Sequence, residues 1–331
     1  MLRRLFALFI LGLLGVAAAY AWLTRYPLPL PERPYAFTVR SGASLRSVAH
    51  ELTVAGVLPA DWTLIALARF KRVDRTIKAG NYEIPDGTTM SALLAKLTQG
   101  DVTQTSFTIV EGWSLRDLRD ALRAQSEIVK TVVDLPDAAL MRAIGSDRPQ
   151  AEGWFFPDTY FFAAGSTDAS LLRRAHRAMR QRLDAAWNVR ASGLPLNSSF
   201  EALVLASIVE KETGHAVDRP LIASVLENRL RQGMRLQADP TVIYGIADRF
   251  DGNLTRRDLE GDTPYNTYVR DGLPPTPIAL PSQASLDAVL HPPPTPYLYF
   301  VSRRDGSSEF SASLPEHNRA VAKYQKGARQ E

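Results

Sequence analysis

SSFEALVLASIVEKETG, residues Ser198–Gly214, sets two glutamates near the end of an otherwise apolar run. Ser198 and Glu201 have the S-x-x-E spacing of a capping box, and Gly214 stands where a helix would stop. The stretch therefore reads as a helix. Leu205, Ile208 and Val209 form its core stripe, while Leu203, Ala206 and Ser207 lie one turn before Glu210 on a neighbouring face. A carboxyl held against apolar surface, with small residues leaving room beside it, has a raised pKa and serves as a general acid near neutral pH. Glu210 is the expected acid. Glu212, which continues the line of Ile208 and Val209, is its rival, and a plainer reading pairs one or both with arginines such as Arg219 or Arg229 on a wet face.

Composition narrows the chemistry around that helix. The chain has 331 residues, 45% of them hydrophobic, a net charge of +4 and no cysteine. Disulfides, thiolate catalysis and cysteine-based metal sites are excluded, and five dispersed histidines without an HExxH offer no metal site. No P-loop or GxGxxG is present, so no cofactor is expected. Arg173, Arg174, Arg177, Arg180 and Arg182 are spaced like the wet face of a helix, and nothing points to nucleic acid.

The N-terminus points to export. Leu5–Leu23 carries no charge, follows Arg3 and Arg4, and is bordered by Tyr20, Trp22 and Tyr26. As a helix the run would be about 28 Å long, enough for a hydrocarbon core of about 30 Å. The reading is a single-pass anchor, residues 1–25, with the N-terminus cytoplasmic and the body periplasmic, in a bacterial inner membrane. The alternative is a signal peptide cleaved near Ala17–Ala19. Residues 26–35, with YPLPLPERP at Tyr26–Pro34, read as a stiff proline-rich spacer.

One pattern then occurs three times. FTVRSGASLRSV (Phe37–Val48), YEIPDGTTMSAL (Tyr82–Leu93) and FTIVEGWSLRDL (Phe107–Leu118) each give an aromatic, a branched apolar residue, a glycine and a Ser or Thr at matching positions. The physical reading is strand, tight turn and capped helix, with Gly42, Gly87 and Gly112 turning the chain and Ser44, Thr89 and Ser114 capping. The first two units, with a helix near Asp61–Lys71 between them, make a small module over residues 36–103. It resembles a LysM-like α+β fold, which binds N-acetylglucosamine-containing glycans; a spacer or protein-docking module is the alternative. The fold class is α+β, with a larger mixed α+β catalytic domain over 104–331.

Within that domain EGWFFPDTYFF (Glu152–Phe162) is dense in aromatics that build core, with Glu152 beside them as a weaker candidate for sugar contact. RLQADPTVIYG (Arg235–Gly245) and TPYNTYVRDGLPPTPIALP (Thr263–Pro281) carry Gln237, Tyr265, Asn266, Thr267 and Tyr268 on proline-stiffened loops. Such side chains suit hydrogen bonding to sugar hydroxyls and acetamides at low ordering cost; alternatively they satisfy the loop backbone. Asp305 and Gly306 mark a hairpin.

LASIVEKETG, RLQADPTVIYG, YNTYVRDGLPPTPI, PYLYFV, EGWFFPDTY and the pair His317 and Asn318 together resemble the YceG-like family of endolytic murein transglycosylases, over nearly the whole chain. The resemblance implies lytic cleavage of peptidoglycan glycan strands between N-acetylmuramic acid and N-acetylglucosamine. It implies Glu210 as the single acid, 1,6-anhydro ends, no metal, and penicillin-binding proteins or other wall synthases as neighbours. By the same resemblance the loop residues Gln237, Asp239, Tyr265, Asn266, Thr267 and Tyr268, with Glu152, would bind substrate. A muramidase with Asp239 or Glu212 as second carboxylate, and a non-catalytic glycan-binding scaffold, are the competing readings.

Overall fold

The computed structural model describes residues 24–326 apart from 41, 75, 79, 100–104 and 163–165, together with residues 10, 15, 20 and 21. The apolar run Leu5–Leu23 thus lies almost wholly outside the described residues. No helix among those described is long and apolar enough to cross a membrane. The chain divides into two units, Met1–Phe107 with Tyr160–Ser166, and Thr108–Thr159 with Thr167–Glu331.

In the first unit β1 (Tyr35–Val39), α1 (Leu45–Val54), α2 (Asp61–Phe70) and β2 (Gly80–Ile84) follow in that order, and α3 (Met90–Gln99) comes after them. β1 pairs antiparallel with β2, Tyr35 opposite Ile84 and Val39 opposite Gly80. Tyr35, Phe37 and Val39 alternate inward onto a core of Val48, Leu52, Leu64, Leu67, Leu93, Leu94 and Leu97. The repeated strand–turn–helix pattern is present in all three places. Gly42, Gly87 and Gly112 have φ of 78°, 78° and 76°, which a side chain would resist. The hydroxyls of Ser44, Thr89 and Ser114 then accept from the N–H groups of Ser47, Ala92 and Asp117.

The proline-dense segment is not a free-standing spacer. Leu28 and Leu30 are only 7% and 9% exposed within the first unit's core, Pro27 bridges Thr89, and the Leu28 N–H donates to the Thr88 carbonyl at 2.8 Å. Two leucines between the prolines supply enough apolar surface to hold the strand down.

β3 (Thr105–Thr108) pairs with β4 (Thr159–Phe162), a small sheet that belongs to the first unit except for Thr108 and Thr159, and the second unit runs between them through α4 (Leu115–Ala124) and α5 (Asp137–Ala143). α6 (Asp168–Asn188), α7 (Ser199–Glu212), α8 (Asp218–Arg231), α9 (Asp239–Ile246), α10 (Arg256–Glu260) and α11 (Gln283–Leu290) follow. The hairpin β5 (Tyr299–Ser302) and β6 (Ser308–Ser311) and the helix α12 (Leu314–Val321) complete it. α7 is the central helix: every residue from Ala202 to Val209 is buried, and α6, α8, α9 and α11 pack around it. A helix apolar on all sides has nowhere else to go. Trp154, Phe155 and Phe156 are core, and the Trp154 ring stacks on Phe200 at 6.1 Å. The arginine row of α6 is wet only in part, Arg180 being exposed and Arg173 and Arg177 half-buried. Arg174 is buried and Arg182 lies over the Phe156 ring at 4.2 Å, their long stems serving as packing surface.

Candidate active site

α7 begins as expected, Ser198 Oγ accepting from the Glu201 N–H at 3.2 Å, with the Glu201 carboxylate turned to the Asn197 N–H at 2.7 Å. It ends earlier than Gly214 suggested. Glu212 is the last helical residue and Thr213 is already extended. Glu210 and Glu212 are therefore in the final turn, about 200° apart around the axis, and they meet different surroundings.

Glu210 is a clamp between helices. Its Oε2 accepts from the Ser282 N–H (2.9 Å), the Ser282 hydroxyl (2.5 Å) and the Ser285 hydroxyl (2.6 Å). Ser282 is the N-cap of α11, so the carboxylate lies against the positive end of that helix and ties it to α7. A carboxylate bound in this way is poorly placed to give a proton to a substrate.

Glu212 makes no hydrogen bond among the described residues, although protein encloses it closely and its side chain keeps partial solvent access. Burial pushes its pKa up to about 8, the negative charge of Asp239 adds to the rise, and the Arg229 guanidinium opposes it. The carbonyl end of α7 acts in the same direction as burial. At neutral pH this carboxyl holds its proton and has no internal acceptor for it.

Asp239 is the first residue of α9 and Tyr268 stands across from it, the phenol donating to Asp239 Oδ1 at 2.5 Å. Burial, Asp239 and Glu212 all keep the Tyr268 phenol protonated. Gln237 precedes α9 with φ of 51°, a left-handed conformation costing roughly 1 kcal/mol for a residue with a side chain. Its N–H donates to the Thr267 carbonyl at 3.1 Å and its Oε1 accepts from Arg229 Nη1 at 3.2 Å. Arg229 has only donors, so the amide oxygen must face it and the Gln237 NH₂ is turned the other way.

Arg229, on α8, was named from the sequence only as a partner for the glutamates on a wet face. It is instead buried. Its guanidinium donates to the carbonyls of Leu298 (2.7 Å) and Leu236 (2.9 Å) as well as to Gln237, and lies 5.2 Å from the Tyr299 ring centre. His317, on α12, stacks on Tyr299 at 5.2 Å. Burial and Arg229 lower the His317 pKa, and its Nδ1 is buried without a partner. Tyr299 sat in the PYLYFV motif and His317 beside Asn318, but neither carried a signal that linked it to Arg229.

Not every loop residue reaches this cluster. Asn266 is 0% exposed, its amide donating to the carbonyls of Asp258, Leu259 and Gly261 and so closing the end of α10. Thr267 is buried, its hydroxyl accepting from the Ala238 N–H at 3.0 Å and meeting Thr241 at 2.9 Å. Both brace the loops that carry Gln237 and Tyr268. Tyr265 is half-buried, with its hydroxyl 2.9 Å from Thr276 and its ring edge-on to Tyr244. Glu152 is 5% exposed and accepts from the Leu115 N–H at 2.9 and 3.0 Å and from the Tyr244 hydroxyl at 3.0 Å. Burial raises it to about 7 against those hydrogen bonds. It closes the start of α4 and is sealed from any sugar. Among the described residues no three His, Asp or Glu side chains converge as a metal site.

The family model described as YceG-like family matches residues 37–323. The chain is 32% identical over 306 residues to an endolytic murein transglycosylase of Bacillus subtilis (strain 168), covering 86% of this chain and 83% of that protein. It is 26% identical over 321 residues to an endolytic murein transglycosylase of Streptococcus pneumoniae serotype 2, and spans 57% of that longer protein. A crystal structure of a yceG-like protein from Listeria monocytogenes superposes with a TM-score of 0.54 at 29% identity, covering 86% of this chain and 99% of that one.

Proposed function

The chain belongs to the YceG-like family, and from that premise we propose that it is a lytic transglycosylase of peptidoglycan whose general acid is Glu212. The observation that carries this is the contrast in the last turn of α7: Glu210 spends its carboxylate on Ser282 and Ser285, whereas Glu212 is unbonded, enclosed and raised to about 8. The expectation that Glu210 is the acid is revised accordingly.

Glu212 gives its proton to the glycosidic oxygen that leaves the anomeric carbon of the muramoyl residue, breaking the C–O bond. The C6 hydroxyl of the same sugar attacks that carbon, and the Glu212 carboxylate takes its proton, restoring the acid and closing a 1,6-anhydro ring. Because the nucleophile is intramolecular, a second carboxylate to activate water is not required, unlike in a hydrolase. Gln237 presents amide donors to acetamido or hydroxyl oxygens, and the paired Tyr268 and Asp239 line the same cluster. Asn266, Thr267 and Glu152 act as scaffold.

We further read Leu5–Leu23 as a membrane anchor that leaves the body outside the cytoplasm, where nascent strands leave their synthases. The β-α-α-β order of the first unit is consistent with a LysM-like glycan module. Mass spectrometry of products from uncrosslinked glycan strands tests the central claim. Anhydro ends from wild type and from Glu210→Gln, but not from Glu212→Gln, are expected. Reducing ends would instead favour a hydrolase, for which the charge of Asp239 near Glu212 is the supporting observation.

A further inference from the structure

α2 is apolar on its outer face as well as its inner one. Thr63, Leu64, Leu67 and Ala68 are buried, as an amphipathic helix requires. On the other side Trp62 is 66% and Phe70 73% exposed, with Ala66 exposed and Ile65 half-buried between them and Arg69, Lys71 and Arg72 exposed at the end. Water gives no reason to set a tryptophan, an isoleucine and a phenylalanine along one outward stripe. Aromatic residues flanked by Arg and Lys are the composition of a helix that lies in a headgroup layer. The acidic residue of the helix, Asp61, is at the opposite end and engages His50 at 3.0 Å.

Two independent observations say what covers this face. Tyr20, from the apolar N-terminal run, has its ring 5.4 Å from that of Phe70, so the end of the run meets the end of the stripe. Between Leu23 and Pro27, which bridges Thr89, stand only Thr24, Arg25 and Tyr26. The four steps from Leu23 to Pro27 reach at most about 14 Å, and the headgroup zone is about 5–7 Å deep on each side of the hydrocarbon. With Leu5–Leu23 in the bilayer, the tether exceeds the headgroup depth by only several ångströms, which keeps the first unit close enough to the headgroup zone for the outer face of α2 to reach it.

We propose that the outer face of α2 docks on the membrane surface, Trp62 and Phe70 entering the headgroup layer of an anionic phospholipid bilayer and Arg69, Lys71 and Arg72 meeting its phosphates. The inference rests on the reading of Leu5–Leu23 as an anchor. Docking at a second point fixes the orientation of the first unit as well as its distance from the membrane.

The chain has no cysteine, so a single introduced thiol can be labelled uniquely. Full-length Trp62→Cys, Val189→Cys and Leu13→Cys are each labelled with an environment-sensitive fluorophore and reconstituted in vesicles of phosphatidylcholine and phosphatidylglycerol in equal parts. Nitroxide lipids carry the quencher at headgroup or at mid-chain depth. Position 62 should shift to the blue on reconstitution and lose emission to the headgroup quencher, while position 189, exposed on the second unit, keeps its emission. Position 13 should lose emission to the mid-chain quencher. An unquenched label at position 62 overturns the docking. Position 13 then tells whether the anchor reading failed with it (unquenched) or still stands (quenched).

Discussion

Replacing each glutamate of the last turn of α7 by glutamine should change stability in opposite ways, and the change at Glu212 should depend on pH. Glu212 has a pKa of 4.5 when unfolded and about 8 when folded. A carboxyl raised by folding contributes stability that is full below pH 4.5, is lost as pH rises towards 8, and changes little above that. Integrating between those values puts the cost of keeping Glu212 at about 1 kcal/mol at pH 5 and about 3 kcal/mol at pH 7. Its partial solvent access trims the difference to about 1–2 kcal/mol. Glu212→Gln removes that cost. The variant should therefore melt above wild type by a margin that widens by about 2–8 °C between pH 5 and 7, at about 2–4 °C per kcal/mol for a unit of this size. Glu210→Gln does the reverse. It weakens the acceptor shared by Ser282 and Ser285 and loses about 1–3 kcal/mol. Thermal unfolding of the three proteins at pH 5, 7 and 8.5 measures both. A parallel pH dependence for wild type and Glu212→Gln, or a widening gain for Glu210→Gln, would refute the division of roles.

Arg229→Met should move the alkaline limb of the pH–rate profile to higher pH, since losing the cation that opposes the rise makes Glu212 harder to ionise; rates of anhydro-end formation across pH 6–10 read it. The same variant frees the Gln237 amide, so KM should rise as well. Glu152→Ala should cost about 1–3 kcal/mol in denaturant unfolding, because the Leu115 N–H and Tyr244 hydroxyl lose their acceptor, and leave KM unchanged. Gly153→Ala places a Cβ 2.5 Å from Pro277 at a φ of 81°. It should lower stability by at least about 2 kcal/mol, measurable in the same unfolding experiment.

What was legible in the sequence follows from the range of the forces involved. Glycine, a following Ser or Thr and an apolar stripe are local signals, and the three strand–turn–helix units appear where those signals are. The hairpin at Asp305 and Gly306 appears too, Tyr299 pairing with Ser311 and Ser302 with Ser308. Glu152, Asn266 and Thr267 were misjudged for one reason. A polar residue in an aromatic or proline-rich loop looks the same in sequence whether it faces a ligand or the end of a distant helix. The N–H of Leu115 is 37 residues from Glu152, and no spacing encodes that. The leucines of YPLPLPERP were lost behind their prolines, although alternate apolar residues are what an extended segment buries.

The choice between Glu210 and Glu212 was open in the sequence because helical phase places residues relative to the helix and says nothing of what each face will meet. Two residues of separation put the carboxylates on nearly opposite sides of α7. One side is taken by the start of α11, whose unpaired N–H groups and serine hydroxyls need an acceptor. The other opens at the start of α9, where Asp239 adds a second negative charge instead of a donor. The negative end of one helix facing an aspartate at the start of another makes an ionised Glu212 costly, and Arg229 relieves only part of that cost from the side. Moving the acid back by even one residue would bring it nearer the Ser282 donors. Ending the helix at Glu212, short of Gly214, leaves the carboxyl on the last turn, where the backbone beyond it is extended and the side chain keeps partial solvent access. The short helix and the raised carboxyl are thus consequences of the same chain reversal, and lengthening α7 by helix-favouring changes at Thr213 and Gly214 should suppress activity before it harms stability.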